Sequence, residues 1–321
     1  VGAEAHPVAA GDGQVVGEGF HASAGGEHAE AVALRKAGER ARGSHAYVTL
    51  EPCNHYGRTP PCARALVQAG VASVSVAVPD PNPVAAGGAD FLRASGVAVD
   101  MGLLEAEARA ANEVWLTAQA LRRPWVTVKA GIGLDGRIAL LDGRSQWITG
   151  EEARRDAHRL RLQMGAVLVG ADTVLADDPR LDVRLPGVRR QPYRYVADYH
   201  GRVPEERRIF AVPGVFRLTG QPERPYDREL GERSPRAMLD ALWGNGETSV
   251  LLEGGGRLIG AFLEADLVDR VVLYLAPKVL GAGISWAEAG NLRDPLGSRP
   301  WRFESVARKG TDLRVVLERE P

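Results

Sequence analysis

The chain is poor in cysteine, poor in lysine and poor in aromatic residues. Cys53 and Cys62 are its only two cysteines in 321 residues. That excludes a disulfide framework and makes a reducing cytoplasm the expected setting. Lysine occurs four times, at Lys36, Lys129, Lys278 and Lys309, so arginine supplies nearly all the positive charge. This singles out Lys129, which falls in the apolar stretch "WVTVKAGIGL". A basic excess is also missing, since the formal net charge is −1. Nucleic-acid binding therefore has no electrostatic footprint here. No apolar run reaches the ~18–20 residues of a membrane span, and no charged-then-apolar signal opens the sequence.

What is present fits an ordinary globular protein. The apolar fraction is 45% and the charged fraction 25%, both ordinary values. The length implies two domains, because one core rarely grows past about 250 residues. Strand and helix patterns alternate in the first half. "AYVTL", "VASVSVAV" and "VAVDMG" read as strands, "CARALVQAG" and "ADFLRASG" as helices, and residues 103–122 as one long helix. This predicts a mostly parallel sheet covered by helices. Arg122, Arg123 and Pro124 break the pattern, which puts a boundary near residue 123. Beyond it, "TGEEARRDAHRLRLQ" predicts a helix with Thr149 as N-cap and Glu152 closing a capping box. "AVLVGA", "YRYVAD", "SVLLEGG", "RVVLYLAPKVL" and "DLRVVLE" predict strands. Residues 182–245 read as largely irregular.

The two cysteines lie in "LEPCNHYGRTPPC", residues 50–62. A disulfide, two ordinary thiols and a metal site are the competing explanations. Upstream, "GGEHAEAVALRKAGERA" places His28 and Glu30 at the start of an amphipathic helix. One imidazole and two thiolates make three zinc ligands and leave a fourth position open, as catalytic zinc sites do. Zinc lowers the pKa of water to about 7. Glu30, two residues from the histidine, is then free to act as acid and base. Zinc deaminases use this arrangement of His-x-Glu followed by Pro-Cys and a second cysteine. Here a loop separates the cysteines, which are nine positions apart.

"HAE" followed by "TLEPCNHYGRTPPC", with "GEGFHASAGGEHAE" and "DPNPVAAGG", resembles the deaminase half of the bifunctional riboflavin-biosynthesis deaminase/reductases, the RibD or RibG family. The resemblance implies a cytidine-deaminase-like α/β/α domain over 1–122. It implies zinc on His28, Cys53 and Cys62 and a proton shuttle at Glu30. His55 and Arg58 fall where the family contacts the substrate, a diamino-ribosylamino-pyrimidinone 5′-phosphate, and His21 is a weaker candidate. The family carries a helix and an asparagine-containing segment ahead of its first strand. This chain begins at "VG", so the expectation is a deaminase half without its front end.

"VKAGIGLDGRIA", "GRSQWITG", "VLVGADTVLADDPRLDVR" and "LLEGGG" resemble the reductase half of the same family. The resemblance implies a dihydrofolate-reductase-like α/β domain over 123–321 that reduces ribosylamino to ribitylamino with NADPH. Substrate-side residues fall on Lys129, Ser145, Thr149, Arg161, Leu181, Arg184 and Glu253, and Asp177 is the carboxylate expected to assist reduction. Trp147, Gly170, Thr173, Arg202 and the Gly254, Gly255 and Gly256 turn are the expected cofactor side. Asp172 stands where the family usually has glycine, and "VADYHGR" where it commonly reads Leu-Asp-Ser. The family commonly forms homo-oligomers, so a dimer or larger is expected. The alternatives are a reductase-only chain and a catalytically silent zinc-binding homologue. A zinc deaminase for nucleosides or tRNA fits poorly with the near-zero charge.

Overall fold

β-Branched and apolar runs set the strands of this protein, and alanine-rich amphipathic runs set its helices. The computed structural model describes residues 8–9, 13–21, 25–57, 60–188, 190–290 and 300–320. Two compact units divide the chain between Leu121 and Arg122.

The first unit contains β1 (Val8–Ala9), β2 (Val15–Gly17), α1 (Ala29–Ala37), β3 (His45–Leu50), α2 (Cys62–Gln68), β4 (Ser73–Val78), α3 (Gly88–Ala94), β5 (Ala98–Met101), α4 (Glu105–Ala111) and α5 (Glu113–Leu121). Its sheet runs in the order β2-β1-β3-β4-β5. β3, β4 and β5 are parallel, and β1 is antiparallel to both of its neighbours. Ala33, Ala37, Ala46, Val48, Leu66, Val74, Val76 and Leu92 form the core. The single helix expected over 103–122 is two. Asn112 turns its side-chain Nδ2 back onto the Ala108 carbonyl at 2.9 Å, and the chain breaks there.

The second unit contains β6 (Trp125–Ile132), β7 (Arg137–Ala139), α6 (Glu151–Gln163), β8 (Ala166–Gly170), α7 (Ala171–Asp177), β9 (Tyr193–Ala197), β10 (Val215–Thr219), β11 (Asp227–Glu229), α8 (Pro235–Gly244), β12 (Ser249–Leu252), α9 (Gly256–Glu264), β13 (Arg270–Leu275), β14 (Ile284–Ser285), β15 (Trp301–Lys309) and β16 (Asp312–Arg319). Its nine-stranded sheet has the order β11-β10-β9-β8-β12-β6-β13-β16-β15. It is parallel from β11 to β13 and ends in the antiparallel β15–β16 hairpin. Two apolar layers cover it, one holding Leu160, Val174 and Val196, the other Leu239, Ile259 and Phe262.

Two expectations fail here. Residues 182–245 are not largely irregular, because they hold β9, β10, β11 and α8. Ser234 caps α8 through its hydroxyl, which accepts from Ala237 N at 3.1 Å, and Pro235 follows at the first helical position. Thr149 is not the N-cap of α6. That residue is Gly150, whose N–H is held at 2.6 Å by Asp312 Oδ2 at the start of β16. A tertiary acceptor replaces the local capping box.

Candidate functional site

The first unit brings His28, Cys53 and Cys62 together from three separate stretches. His28 is the N-cap of α1, Cys53 follows β3, and Cys62 opens α2. Their ligand atoms all lie within 4.8 Å of one another. His28 Nδ1 is 3.6 Å from Cys53 Sγ and 3.2 Å from Cys62 Sγ. Tetrahedral zinc with ordinary bond lengths sets such N···S pairs about 3.6 Å apart. Both cysteines are buried and free, so the disulfide alternative is excluded. Donor type and spacing therefore fit zinc.

The electrostatics favour one thiolate. Hydrogen bonding from the Cys62 thiol, and then from His28, draws the Cys53 thiol down to about 4 against the cost of desolvation. Cys62 is pushed the other way by its bond to Cys53 and by burial. Glu30 lies on the first turn of α1, and burial lifts its carboxyl above the usual range. Among the expected neighbours, His21 packs edge-on against His28 with ring centroids 5.4 Å apart. His55 has a buried Nδ1, and Asn54 a buried Oδ1, with no hydrogen-bond partner among the described residues. Such orphaned atoms are what a ligand satisfies. Arg58 lies outside the described residues.

One buried residue that the sequence reading missed organises this loop. The Glu51 carboxylate accepts from the backbone N–H of Asp80 at 3.2 Å, Gly87 at 3.2 Å and Ala89 at 2.9 Å. It ties the segment before α3 to the cysteine loop. Its adjacency to Pro52-Cys53 was the available signal.

In the second unit a cleft of about 840 Å³ opens at the carboxyl ends of β6, β8, β9 and β12, where open parallel sheets take ligands. Lys129, Ser145, Thr149, Arg161, Leu181, Arg184 and Glu253 all line it, as do Asp177, Trp147, Gly170, Thr173, Arg202, Gly254, Gly255 and Gly256. Nine of its lining side chains are cationic and five are carboxylates. This balance suits a phosphorylated ligand.

Not every cation there is free. Buried Glu253 accepts from Arg161 Nε, from Arg161 Nη2 at 2.9 Å and from Lys129 Nζ at 3.3 Å. Burial opposes its ionisation, but Arg161 and Lys129 overcome that and hold it well below the carboxylate range. Arg161 also donates to the Asp182 carbonyl at 3.1 Å. Arg184 is the more available of the arginines expected on the substrate side, with 54% of its side chain exposed. Asp177, at the end of α7, makes no side-chain hydrogen bond or ion pair among the described residues, and desolvation raises its pKa.

The segment before α6 is held over the cleft from two sides. Lys278 Nζ donates to the Trp147 carbonyl at 2.7 Å, and the Arg154 guanidinium stacks 4.6 Å from the indole centre. Arg154 also donates to the Thr149 carbonyl at 2.6 Å. At the other wall, Thr173 Oγ1 accepts from Gly255 N at 2.9 Å. Gly256 has a packing reason as well, since a Cβ there would stand 2.3 Å from the Ser285 carbonyl oxygen.

His158 and Arg154 line the cleft but were not picked out in the sequence. The i, i+4, i+7 spacing of Arg154, His158 and Arg161 on α6 puts them on one helix face, which could have found them. Desolvation, then Arg161 and Arg184, push His158 down to about 4, so it is neutral at physiological pH.

Comparison with known proteins covers both units. The cytidine and deoxycytidylate deaminase zinc-binding region matches residues 5–78, and the RibD C-terminal domain matches residues 124–315. The riboflavin biosynthesis protein RibD of Escherichia coli is 42% identical over 331 residues, covering 95% of this chain and 90% of that protein. That of Aquifex aeolicus is 38% identical over 322 residues, covering 96% and 90%. Among solved structures, RibD of Acinetobacter baumannii superposes with a TM-score of 0.89 at 39% identity, covering 98% of this chain and 91% of that one. A diaminohydroxyphosphoribosylaminopyrimidine deaminase/5-amino-6-(5-phosphoribosylamino)uracil reductase from Thermotoga maritima gives 0.87 at 34% identity, covering 97% and 90%. The fold is a cytidine-deaminase-like domain followed by a dihydrofolate-reductase-like one.

Proposed function

The chain belongs to the RibD family of bifunctional riboflavin-biosynthesis deaminase/reductases, and on that premise we propose how its residues divide the two reactions. The substrate is 2,5-diamino-6-ribosylamino-4(3H)-pyrimidinone 5′-phosphate. Residues 1–122 deaminate it, and residues 123–321 reduce the product to 5-amino-6-ribitylaminouracil 5′-phosphate.

The observation that carries the first half is the convergence of His28, Cys53 and Cys62 beside Glu30. Those three residues hold zinc, which when bound supplies Lewis acidity to the attacking water. Hydrolytic deamination adds water to the ring carbon and expels ammonia. Glu30 takes the proton of the water and returns it to the departing amine. A carboxyl raised by burial suits both tasks. His55 and Arg58, with His21 as the weaker candidate, orient the pyrimidine ribotide.

In the second half NADPH, when bound, supplies hydride to the sugar carbon. Gly170, Thr173, Arg202, Trp147 and the Gly254–Gly256 turn hold it. Lys129, Ser145, Thr149, Arg161, Leu181, Arg184 and Glu253 seat the substrate, and Asp177 positions the sugar or gives it a proton. The Glu253 cluster keeps Lys129 and Arg161 fixed, so the more exposed Arg184 is the substrate-side arginine proposed for the phosphate. Free thiols at a metal site fit a reducing cytoplasm. Self-association belongs to the same proposal, by analogy with the family.

The test is coupled. The purified protein, loaded with zinc, receives the diamino-pyrimidinone ribotide, and ammonia release and NADPH oxidation are followed in turn. Glu30→Gln is expected to lower ammonia release by about 10²–10⁴-fold. It should keep one zinc per chain and still oxidise NADPH when given the deaminated product. Unchanged ammonia release in this variant would remove Glu30 from the chemistry. Loss of zinc together with activity would make Glu30 a structural residue.

A further inference from the structure

The cofactor wall of the cleft carries an ion-pair cluster centred on Asp172, a residue given no part in either reaction above. Asp172 lies on the first turn of α7, directly after β8. Its Oδ1 accepts from Arg202 Nη2 at 2.8 Å, and its Oδ2 is 3.8 Å from Arg257 Nη1. Arg257 is shared with Glu288, 3.6 Å away. Arg202 follows β9 and Arg257 opens α9 after β12, so the cluster gathers at the carboxyl ends of three adjacent strands. The side chains of Asp172, Arg202 and Arg257 are 61%, 48% and 82% exposed. Pairs this exposed contribute little to stability. Their position in the cleft, against the glycine turn, gives them a ligand to face.

Two converging guanidiniums make a phosphate site. A carboxylate fixed between them changes its selectivity. It occupies the Arg202 N–H that a phosphate would use, and it repels the phosphate charge. Toward a ribose diol it does the opposite, because a carboxylate accepts hydroxyl hydrogen bonds. We propose that Asp172 is a specificity-determining residue that lowers this chain's preference for a 2′-phosphorylated nicotinamide dinucleotide over the unphosphorylated one. The inference rests on the reductase reading of this cleft. Arg202 serves the phosphate only by sharing or breaking its bond to Asp172. An unphosphorylated dinucleotide leaves that bond intact.

The experiment measures binding rather than turnover. Dissociation constants of NADPH and NADH are taken from nicotinamide fluorescence on the full-length protein, for wild type, Asp172→Asn and Asp172→Gly. Both variants are exposed changes that leave the core alone. Asp172→Asn is expected to tighten NADPH about ten-fold, the factor for a like charge a few ångströms away at the protein surface. NADH should stay within about two-fold or weaken. The NADPH gain should shrink as salt rises from 0.05 to about 0.5 M, following the Debye length. Equal shifts of both dinucleotides, or weaker NADPH binding in Asp172→Asn, would overturn the inference and make Asp172 a scaffold for the arginines. Wild-type protein that binds neither dinucleotide would remove the reductase reading, and this inference with it.

Discussion

Glu247 is a buried acid that neither reaction uses, and its burial makes it one contributor to the pH dependence of stability. Desolvation raises its pKa to about 7, although Tyr195 donates to it at 3.4 Å. The folded state therefore holds a proton that the unfolded chain loses near 4.5. Stability from this group is fully present below about 4.5 and is lost as pH rises through about 7. The span corresponds to roughly 3 kcal/mol at most. Glu247→Gln should flatten the urea-unfolding free energy between pH 5 and 8 and leave the variant more stable than wild type at pH 8. Curves that run parallel across that range would show that Glu247 does not titrate there. Glu253 shows the opposite sign in the same unit, because two cations face it and none faces Glu247 as closely. Composition cannot tell these two glutamates apart, since only the fold decides which buried carboxylate meets a partner.

Elements place the ligands, and close backbone approach fixes the elements. Gly88 opens α3, and a Cβ on it would stand 1.8 Å from the Pro52 carbonyl oxygen. That carbonyl belongs to the residue before Cys53. Gly88→Ala must push the cysteine loop away, at a cost of about 1–3 kcal/mol for overpacking. Zinc content, measured by atomic absorption, should fall well below one per chain while NADPH binding stays within about two-fold. Full zinc occupancy in Gly88→Ala would mean that the loop yields without moving Cys53. The His-x-Glu helix start, the strand before Cys53 and the helix at Cys62 were legible because each signal is local. The α6 cap was not, because its acceptor, Asp312, is remote in sequence. Neither were β10 and β11, which a buried Arg217–Asp227 pair at 2.9 Å helps to pin. Arginines and aspartates in a polar stretch look like loop until they find each other. The face of α6 bearing His158 lay within reach of a periodicity argument, since Arg154, His158 and Arg161 recur at i, i+4 and i+7.

At the scale of the whole molecule, each candidate site is closed within one unit. The zinc ligands fall between residues 28 and 62, and the cleft is lined by residues between 129 and 288. Each unit also has its own core, around Val74 and Leu66 in the first and around Leu251 and Phe262 in the second. Metal binding to a site built from separated segments is itself folding free energy for the unit that contains it. Chelation of the full-length protein should therefore act unequally on the two activities. Dialysis against a zinc chelator is expected to abolish ammonia release. NADPH oxidation with the deaminated product supplied should change by less than about two-fold. In a thermal scan only one transition should move down, and it should return when zinc is restored. If both activities fell together, the reductase cleft would depend on the metal-bound unit, and assigning the two reactions to separate cores would be wrong. A reductase rate that survives chelation would place the requirement for zinc wholly in the residues around Cys53 and Cys62.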